Sequence, residues 1–247
     1  LFYVMELLEG VNLDDLVVHF GPLEADRCVR ILKQVCLSLA EAHESGLVHR
    51  DIKPANIYLC RRGIEYDFVK VLDFGLVHPV SNLGAESARA PREGTIGGTP
   101  SYIAPEIADG ATHFDARADI YCLGCVAYWM LTGSLVFEEQ SVMKMLLAHA
   151  TLPPTPPSAK VDGIPVELER IILSCLAKSP EDRPASARAL FEELETIDDG
   201  GWRRDEAATW WHEHLPDEGA ALRKRAARSV KTHIGLGTTI IDQRKLI

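Results

Sequence analysis

The most informative segment of the sequence is His49-Arg50-Asp51-Ile52-Lys53-Pro54-Ala55-Asn56. Within this stretch, Asp51 can accept a proton from a hydroxyl group, and Lys53 can bind a negatively charged phosphoryl group. Asn56 can offer its amide oxygen to a divalent cation. The sequence therefore places a candidate base, a phosphate-binding cation and a metal ligand on one loop.

Two further motifs follow this loop, and they are Asp73-Phe74-Gly75 and Ala104-Pro105-Glu106. In this order and spacing, the three motifs together resemble those of the protein kinase family. The resemblance covers about residues 1–197. It implies a mainly α-helical fold, the large C-terminal lobe of a kinase, with a short β-hairpin near the catalytic loop. A lone Asp or Asn is more often a turn residue, but the combined spacing favours the kinase interpretation.

The resemblance implies a role for each motif residue. Asp51 would be the catalytic base, Lys53 would contact the transferring γ-phosphoryl group, and Thr99 would bridge these two side chains. Asn56 and Asp73 would bind Mg²⁺ ions that coordinate the phosphates of ATP. ATP and Mg²⁺ are thus the implied cofactors.

The residues around the candidate base also indicate a substrate class. Lys53 stands two positions after Asp51, as in Ser/Thr kinases, whereas tyrosine kinases usually carry Ala-Ala-Arg or Arg-Ala-Ala in this loop. The sequence Gly-Thr-Pro-Ser-Tyr-Ile-Ala-Pro-Glu at 98–106 agrees with that assignment. Both stretches look most like those of bacterial eukaryotic-like kinases. Ser and Thr hydroxyls of proteins are therefore the implied acceptors.

The first ten residues resemble the kinase hinge strand and its linker. By this resemblance, the backbone of Glu6 and Leu8 would contact the adenine edge, and Met5 would be the gatekeeper beside it. Tyr58 falls where the family usually places an aliphatic residue beneath the adenine ring. This departure disfavours ordinary adenine packing, although a Tyr side chain could still stack on the base.

The sequence contains no Gly-x-Gly-x-x-Gly loop and no Val-Ala-Ile-Lys-like strand. We therefore expect these residues to be the large lobe of a longer kinase, with the missing small lobe as a partner. Negligible catalysis is expected from the chain alone. The alternative is a pseudokinase scaffold that binds partners or nucleotide without catalysis. A small-molecule phosphotransferase on a related fold is a more distant alternative.

Further residues match regulatory and structural positions of the family. Kinases with an Arg at the position of Arg50 are commonly activated by phosphorylation of a loop, and Thr95 is the candidate phosphosite in the predicted mobile segment 76–98. Asp119 resembles the buried Asp that binds the catalytic-loop backbone. Glu106 and Arg183 resemble the family's buried ion pair.

Composition and charge bear on the possible binding partners of the protein and on its location in the cell. The net charge of −10 argues against a general nucleic-acid-binding protein. Six scattered cysteines favour a reduced, cytoplasmic setting, and Cys122 and Cys125 read as buried small hydrophobic residues despite their CxxC spacing. The basic run at 223–231 is usually a solvated tail. It leaves open a juxtamembrane segment, and so a membrane-anchored full-length protein with a cytoplasmic kinase domain.

Periodicity and turn residues predict the organisation of the chain. Apolar spacing predicts helices over 23–45, 115–131, 142–150, 166–177 and 185–197, and a hairpin from 57–59 and 68–72. A boundary is predicted at Asp198-Asp199-Gly200-Gly201. The predicted domains are a hinge strand and linker at 1–10, a kinase C-lobe at 11–197 and a C-terminal extension of unknown role at 198–247. In that extension, His212-Glu213-His214 is a weak metal pattern, and an amphipathic surface segment is the preferred interpretation.

Overall fold

The structure is a computed structural model, and it describes residue 6 and residues 8–74, 99–111, 114–197 and 201–215. These residues form eight helices and three strands: β1 (Gly10–Asn12), α1 (Leu13–Phe20), α2 (Ala25–Glu44), β2 (Ile57–Arg62), β3 (Glu65–Val71), α3 (Pro105–Ala108), α4 (Arg117–Thr132), α5 (Val142–Thr151), α6 (Val166–Cys175), α7 (Ala187–Glu195) and α8 (Arg204–His214). The predicted helix-rich character is confirmed.

The strands form one antiparallel sheet in the order β1-β2-β3. The predicted hairpin is β2 and β3, with Ile57 opposite Val71, and both strands extend further toward the turn than the sequence indicated. β1 adds a third strand across the predicted boundary between the hinge segment 1–10 and residue 11. It pairs Gly10 with Cys60, and only a glycine fits there, because a Cβ atom would lie 1.8 Å from the carbonyl oxygen of Leu59.

Helix α4 forms the centre of the core. Nearly all of its residues are buried, so it packs on all sides, as expected of a helix that is apolar around its circumference. It ends at Gly133, whose φ of 64° lies in the left-handed region that favours glycine. All six cysteines are buried, and Cys122 and Cys125 pack in the core as the small hydrophobic residues that the sequence predicts.

Helix α2 connects the core to the candidate site. Its apolar stripe, including Ile31, Val35 and Leu39, is buried, while its outer face is polar. The helix ends at Glu44, and Gly46 follows with a φ of 75°. Residues 47–56 then form the loop that connects α2 to β2. The position of this loop is thus set by how α2 packs.

The C-terminal part of the described chain packs on the same core. Ala207 and Trp211 of α8 are buried, and α8 lies against β3. The first part of the predicted extension is therefore packed on the rest of the described chain. Among the described helices, none is both long and apolar enough to cross a bilayer. The described residues also contain no group of three or more His, Cys, Asp or Glu side chains suited to a metal ion.

Candidate active site

A single buried carboxylate fixes the conformation of the candidate catalytic loop. Asp119 is fully buried near the start of α4, and it accepts hydrogen bonds from the backbone N–H groups of His49 and Arg50, each at 2.8 Å. Nε2 of His43 lies 2.8 Å from the same carboxylate. Arg50 has a φ of 69°, which costs free energy for a residue with a side chain. The Asp119 hydrogen bonds stabilise this conformation.

The side chains of Asp51, Lys53 and Asn56 meet in the structure. Nζ of Lys53 lies 2.6 Å from Oδ2 of Asp51. Nδ2 of Asn56 donates to the backbone oxygen of Asp51 at 2.8 Å and to its Oδ2 at 3.1 Å. The Asp51 and Lys53 side chains remain partly exposed, so they are accessible to a substrate. The three candidate residues thus form one polar cluster.

The Asp-Phe-Gly segment lies beside this cluster. The N–H of Leu72 donates to the backbone oxygen of Asn56 at 2.8 Å, and Nε2 of His49 lies 2.8 Å from the backbone oxygen of Leu72. The ring of Phe74 packs edge-on against His49 at 4.6 Å between centroids. These contacts place Asp73, directly after Leu72, next to the loop.

The donor set of Asn56 and Asp73 fits a magnesium ion. Both hydrogen bonds of Asn56 use Nδ2, so Oδ1 is the oxygen that this side chain can offer. Asp73 is exposed and has a φ of 66°, an uncommon conformation for a residue with a side chain. Mg²⁺ prefers such carboxylate and amide oxygens, with phosphate and water completing its shell.

Thr99 approaches the loop from the other side. It lines a cavity of about 10 Å³ together with Arg50, Asp51 and Tyr102. Within the described residues, no hydrogen bond joins its side chain to Asp51 or Lys53, so the expected bridge between those two is not formed in this structure.

Two guanidinium nitrogens of Arg50 have no hydrogen-bond partner among the described residues. Its guanidinium lies 5.0 Å from the ring centre of Phe114, while Nε and Nη2 are buried without a hydrogen-bond partner in the described parts of the chain. The predicted phosphosite Thr95 and the predicted loop at 76–98 lie outside the described residues, as does Gly75.

Three of the four residues predicted to contact adenine lie in the described part of the chain, namely Glu6, Leu8 and Tyr58. Met5 lies outside the described residues, and Glu6 and Leu8 line a cavity of about 390 Å³ beside the sheet. Glu6 forms an ion pair with Lys70. The hydroxyl of Tyr58 donates to the backbone oxygen of Gly10 at 2.7 Å, so this ring is fixed to β1.

We call the segment Ala104-Pro105-Glu106 the candidate substrate platform, and a buried ion pair connects it to the helical core. Both guanidinium Nη atoms of Arg183 bind the carboxylate of Glu106, at 2.9 and 2.7 Å. Arg183 also donates to the backbone oxygens of Arg117, Ala177 and Lys178. The guanidinium is therefore fully engaged, and the Ala-Pro-Glu segment is held beside α4.

Sequence reasoning missed a buried histidine near this platform. His149 on α5 is fully buried, and its Nδ1 lies 2.9 Å from the Tyr121 hydroxyl. Burial and the nearby charge of Lys178 lower the pKa of His149 to about 4, so the side chain is neutral at pH 7. A histidine within the apolar stripe of α5 was the signal available in the sequence.

Most of the chain is similar to known proteins, in sequence and in fold. The family profile described as protein kinase domain matches residues 1–194, and the chain belongs to the protein kinase family. A crystal structure of Rad53 residues 1–466 in complex with AMP-PNP is similar, with a TM-score of 0.63 and 26% identity over 78% of this chain and 46% of that one. The predicted kinase fold is thus confirmed.

Curated relatives narrow the kinase class. The serine/threonine-protein kinases pkn3 and Pkn1 of Myxococcus xanthus are 40% and 44% identical over 84% and 78% of this chain. PknB of Mycobacterium tuberculosis is 35% identical over 81%. These relatives confirm the resemblance to bacterial eukaryotic-like Ser/Thr kinases. The matched regions span 38%, 27% and 30% of the relatives' own lengths.

Proposed function

We propose that the full-length protein containing this chain is a serine/threonine protein kinase that transfers the γ-phosphoryl group of ATP to protein hydroxyls. The observation that carries the proposal is the cluster of Lys53 and Asn56 around the Asp51 carboxylate, at 2.6 and 3.1 Å. Phosphoryl transfer asks mainly for positioning and charge neutralisation, and this cluster supplies both.

Each side chain has a defined task in the proposed reaction. Asp51 orients the Ser or Thr hydroxyl and accepts its proton while the oxygen bonds to the γ-phosphorus. The bond from that phosphorus to the β–γ bridging oxygen breaks, and ADP leaves. Lys53 offsets the negative charge on the transferring group and also pairs with Asp51. Thr99, on the wall of the adjoining cavity, is proposed to bridge these two when substrate is bound.

Asn56 Oδ1 and the Asp73 carboxylate are the proposed magnesium ligands. When bound, Mg²⁺ neutralises charge on the phosphates of ATP. The protein's own contribution is to fix both oxygens through the backbone link between Leu72 and Asn56. Glu6 and Leu8 are proposed to contact the adenine, together with Met5, which directly precedes Glu6 in the sequence, and Tyr58, whose hydroxyl binds Gly10 of β1.

We further propose that efficient transfer needs a glycine-rich loop and a strand lysine, as kinases in general do. Residues 1–247 contain neither motif. A comparison of the chain with the full-length protein tests this point. Transfer by the chain alone that disappears in Asp51→Asn would contradict it.

Arg50 is proposed to sense phosphorylation of Thr95. Its buried Nε and Nη2 atoms have no partner in the described residues, and a phosphate would supply acceptors and up to two negative charges. Mass spectrometry of the active protein should find phosphate on Thr95, and Thr95→Ala should lower activity. Full activity of Thr95→Ala would reject this switch.

The test of the catalytic assignment is an Asp51→Asn variant of the full-length protein. We expect phosphotransfer to fall by at least about a hundredfold while ATP still binds, because only the proton acceptor is lost. Asp162→Asn, at an exposed turn before α6, is the matched control and should retain parental activity. A parent that binds ATP but transfers no phosphate would instead favour the pseudokinase alternative.

We also propose a cytoplasmic location for the domain, since the free buried thiols suit a reducing compartment; they are Cys28, Cys36, Cys122, Cys125 and Cys175. Its proposed partners are proteins that expose Ser or Thr. Fractionation of cells that express the full-length protein would test the location.

A further inference from the structure

One buried carboxylate outside the candidate site binds an unusual number of donors. Asp67 in β3 is fully buried, and it accepts from Nε and Nη2 of Arg27 at 2.9 and 2.8 Å. It also accepts from the indole Nε1 atoms of Trp202 and Trp211, at 2.8 and 2.7 Å. A carboxylate offers about four acceptor positions, so the hydrogen-bonding capacity of Asp67 is filled.

The indole rings also enclose the cation of this ion pair. The guanidinium of Arg27 lies 4.6 Å from the ring centre of Trp202 and 4.0 Å from that of Trp210. Aromatic faces attract such a cation, most strongly away from water, and Arg27 is buried. We call Arg27, Asp67, Trp202, Trp210 and Trp211 the tryptophan clamp. Its three tryptophans follow residue 194, where the family match ends.

The tryptophan clamp is linked to the candidate metal ligands through β3. The Gln34 side chain donates to the backbone oxygen of Asp67 at 2.9 Å and accepts from the N–H of Val69 at 3.0 Å. β3 then continues to Leu72, which binds Asn56, and to Asp73. A shift of Asp67 along the strand would therefore move Asp73 relative to Asn56.

The same C-terminal segment also contacts other elements that lead to the site. Trp210 and His214 pack against Phe20, the last residue of α1, with ring centroids 5.1 and 5.5 Å apart. Nε of Arg204 donates to the backbone oxygen of Ile64 in the hairpin turn at 3.1 Å. The segment thus joins α1, α2 and the hairpin at the ends that lie away from the catalytic loop.

We propose that Trp202 and Trp211 are positioning residues for the metal–nucleotide site. They hold Asp67, and so β3, where Asp73 stands beside Asn56. This inference rests on the proposed function, which assigns Asp73 and Asn56 as metal ligands.

The experiment measures binding of Mn²⁺, as the probe for Mg²⁺, to the full-length protein with ADP, using the electron paramagnetic resonance signal of free Mn²⁺. Trp202→Phe and Trp211→Phe each keep a ring but lose the indole donor. We expect each change to weaken Mn²⁺ binding by about threefold to tenfold, measured well below the unfolding midpoint. Trp129→Phe is the matched control, because the Trp129 Nε1 is buried without a partner in the described residues.

A second variant approaches β3 without touching the tryptophans. Gln34→Met removes the side-chain link to Asp67 and Val69, and it should also weaken Mn²⁺ binding. One outcome would overturn this inference and leave the proposed metal site intact. In that outcome, the folded Phe variants and Gln34→Met bind Mn²⁺ with parental affinity, while Asp73→Asn binds it more weakly. Parental affinity in Asp73→Asn as well would overturn the proposed metal site and, with it, the inference.

Discussion

At the scale of single residues, the candidate site depends on backbone conformations that side chains rarely adopt. Among the described residues, three non-glycine positions have a positive φ, namely Arg50, Asp67 and Asp73. Arg50 precedes the candidate base, Asp73 is a candidate metal ligand, and Asp67 belongs to the tryptophan clamp. Such conformations cost about 1–3 kcal/mol each and persist only where surrounding contacts fix them. Asp119 and Arg27 supply such contacts at Arg50 and Asp67.

The buried Glu106–Arg183 ion pair gives a prediction at the same scale. Glu106→Ala leaves the Arg183 guanidinium buried without its carboxylate, so we expect the free energy of unfolding to fall by about 3–5 kcal/mol. Glu167→Ala removes an exposed partner of Arg170 and should cost less than about 1 kcal/mol. Urea denaturation of the three proteins measures both changes. Equal losses in the two variants would show that burial does not govern the strength of these pairs.

At the scale of elements, local patterns predicted five of the described helices and missed α1, α3 and α8. The bounds of α4, α5 and α6 lie within two residues of the predicted ends, because apolar spacing and glycine stops are local features. Helix α1 has only eight residues, too few for a clear period, although Asn12 caps its start. Helix α8 depends on a hydrogen bond from Trp211 to Asp67, 144 residues away in the sequence, which no local pattern indicates.

The residues of the candidate site also fall into two groups, those that local motifs predict and those that only contacts between distant elements identify. The motif residues were predictable because the chemistry places a base, a cation and metal ligands on short loops. Asp119 and Arg183 could be placed only by resemblance to the family, since a lone Asp or Arg carries no local pattern. His149 and Asp67 were missed, because their importance comes from burial beside partners on other elements.

Helix α5 provides a pH-dependent prediction through His149. Its pKa is about 4 when folded and 6.5 in the unfolded chain, so the unfolded chain binds the extra proton between these values. The contribution of neutral His149 to the free energy of unfolding is therefore fully present above pH 6.5, and it is lost as the pH falls toward 4. Between pH 7 and pH 5, the loss attributable to this group should be about 2 kcal/mol.

The measurement is urea denaturation of the parent and of His149→Gln at both pH values. Because the carboxylates titrate in both proteins, the difference between the two pH dependences isolates His149. The variant should lose less stability than the parent on acidification. Identical losses in the two proteins would show that His149 is not buried as a neutral group.

At the scale of the whole molecule, the described residues form a packed unit of the protein kinase family that continues past residue 194, where the family match ends. The helices form the core, and the candidate metal ligands Asn56 and Asp73 lie directly before β2 and shortly after β3. Residues 201–215 pack against α1, α2 and β3. One consequence is that the packed unit reaches at least to residue 215, beyond the predicted boundary at 198.

We propose that this chain belongs to a kinase that acts on Ser and Thr through Asp51. Phosphoamino-acid analysis of proteins labelled by the full-length protein with γ-labelled ATP and Mg²⁺ tests it most directly. We predict label on phosphoserine and phosphothreonine, and its loss in the Asp51→Asn variant. Label on phosphotyrosine alone, undiminished label in Asp51→Asn, or no transfer by a parent protein that binds ATP would contradict the claim.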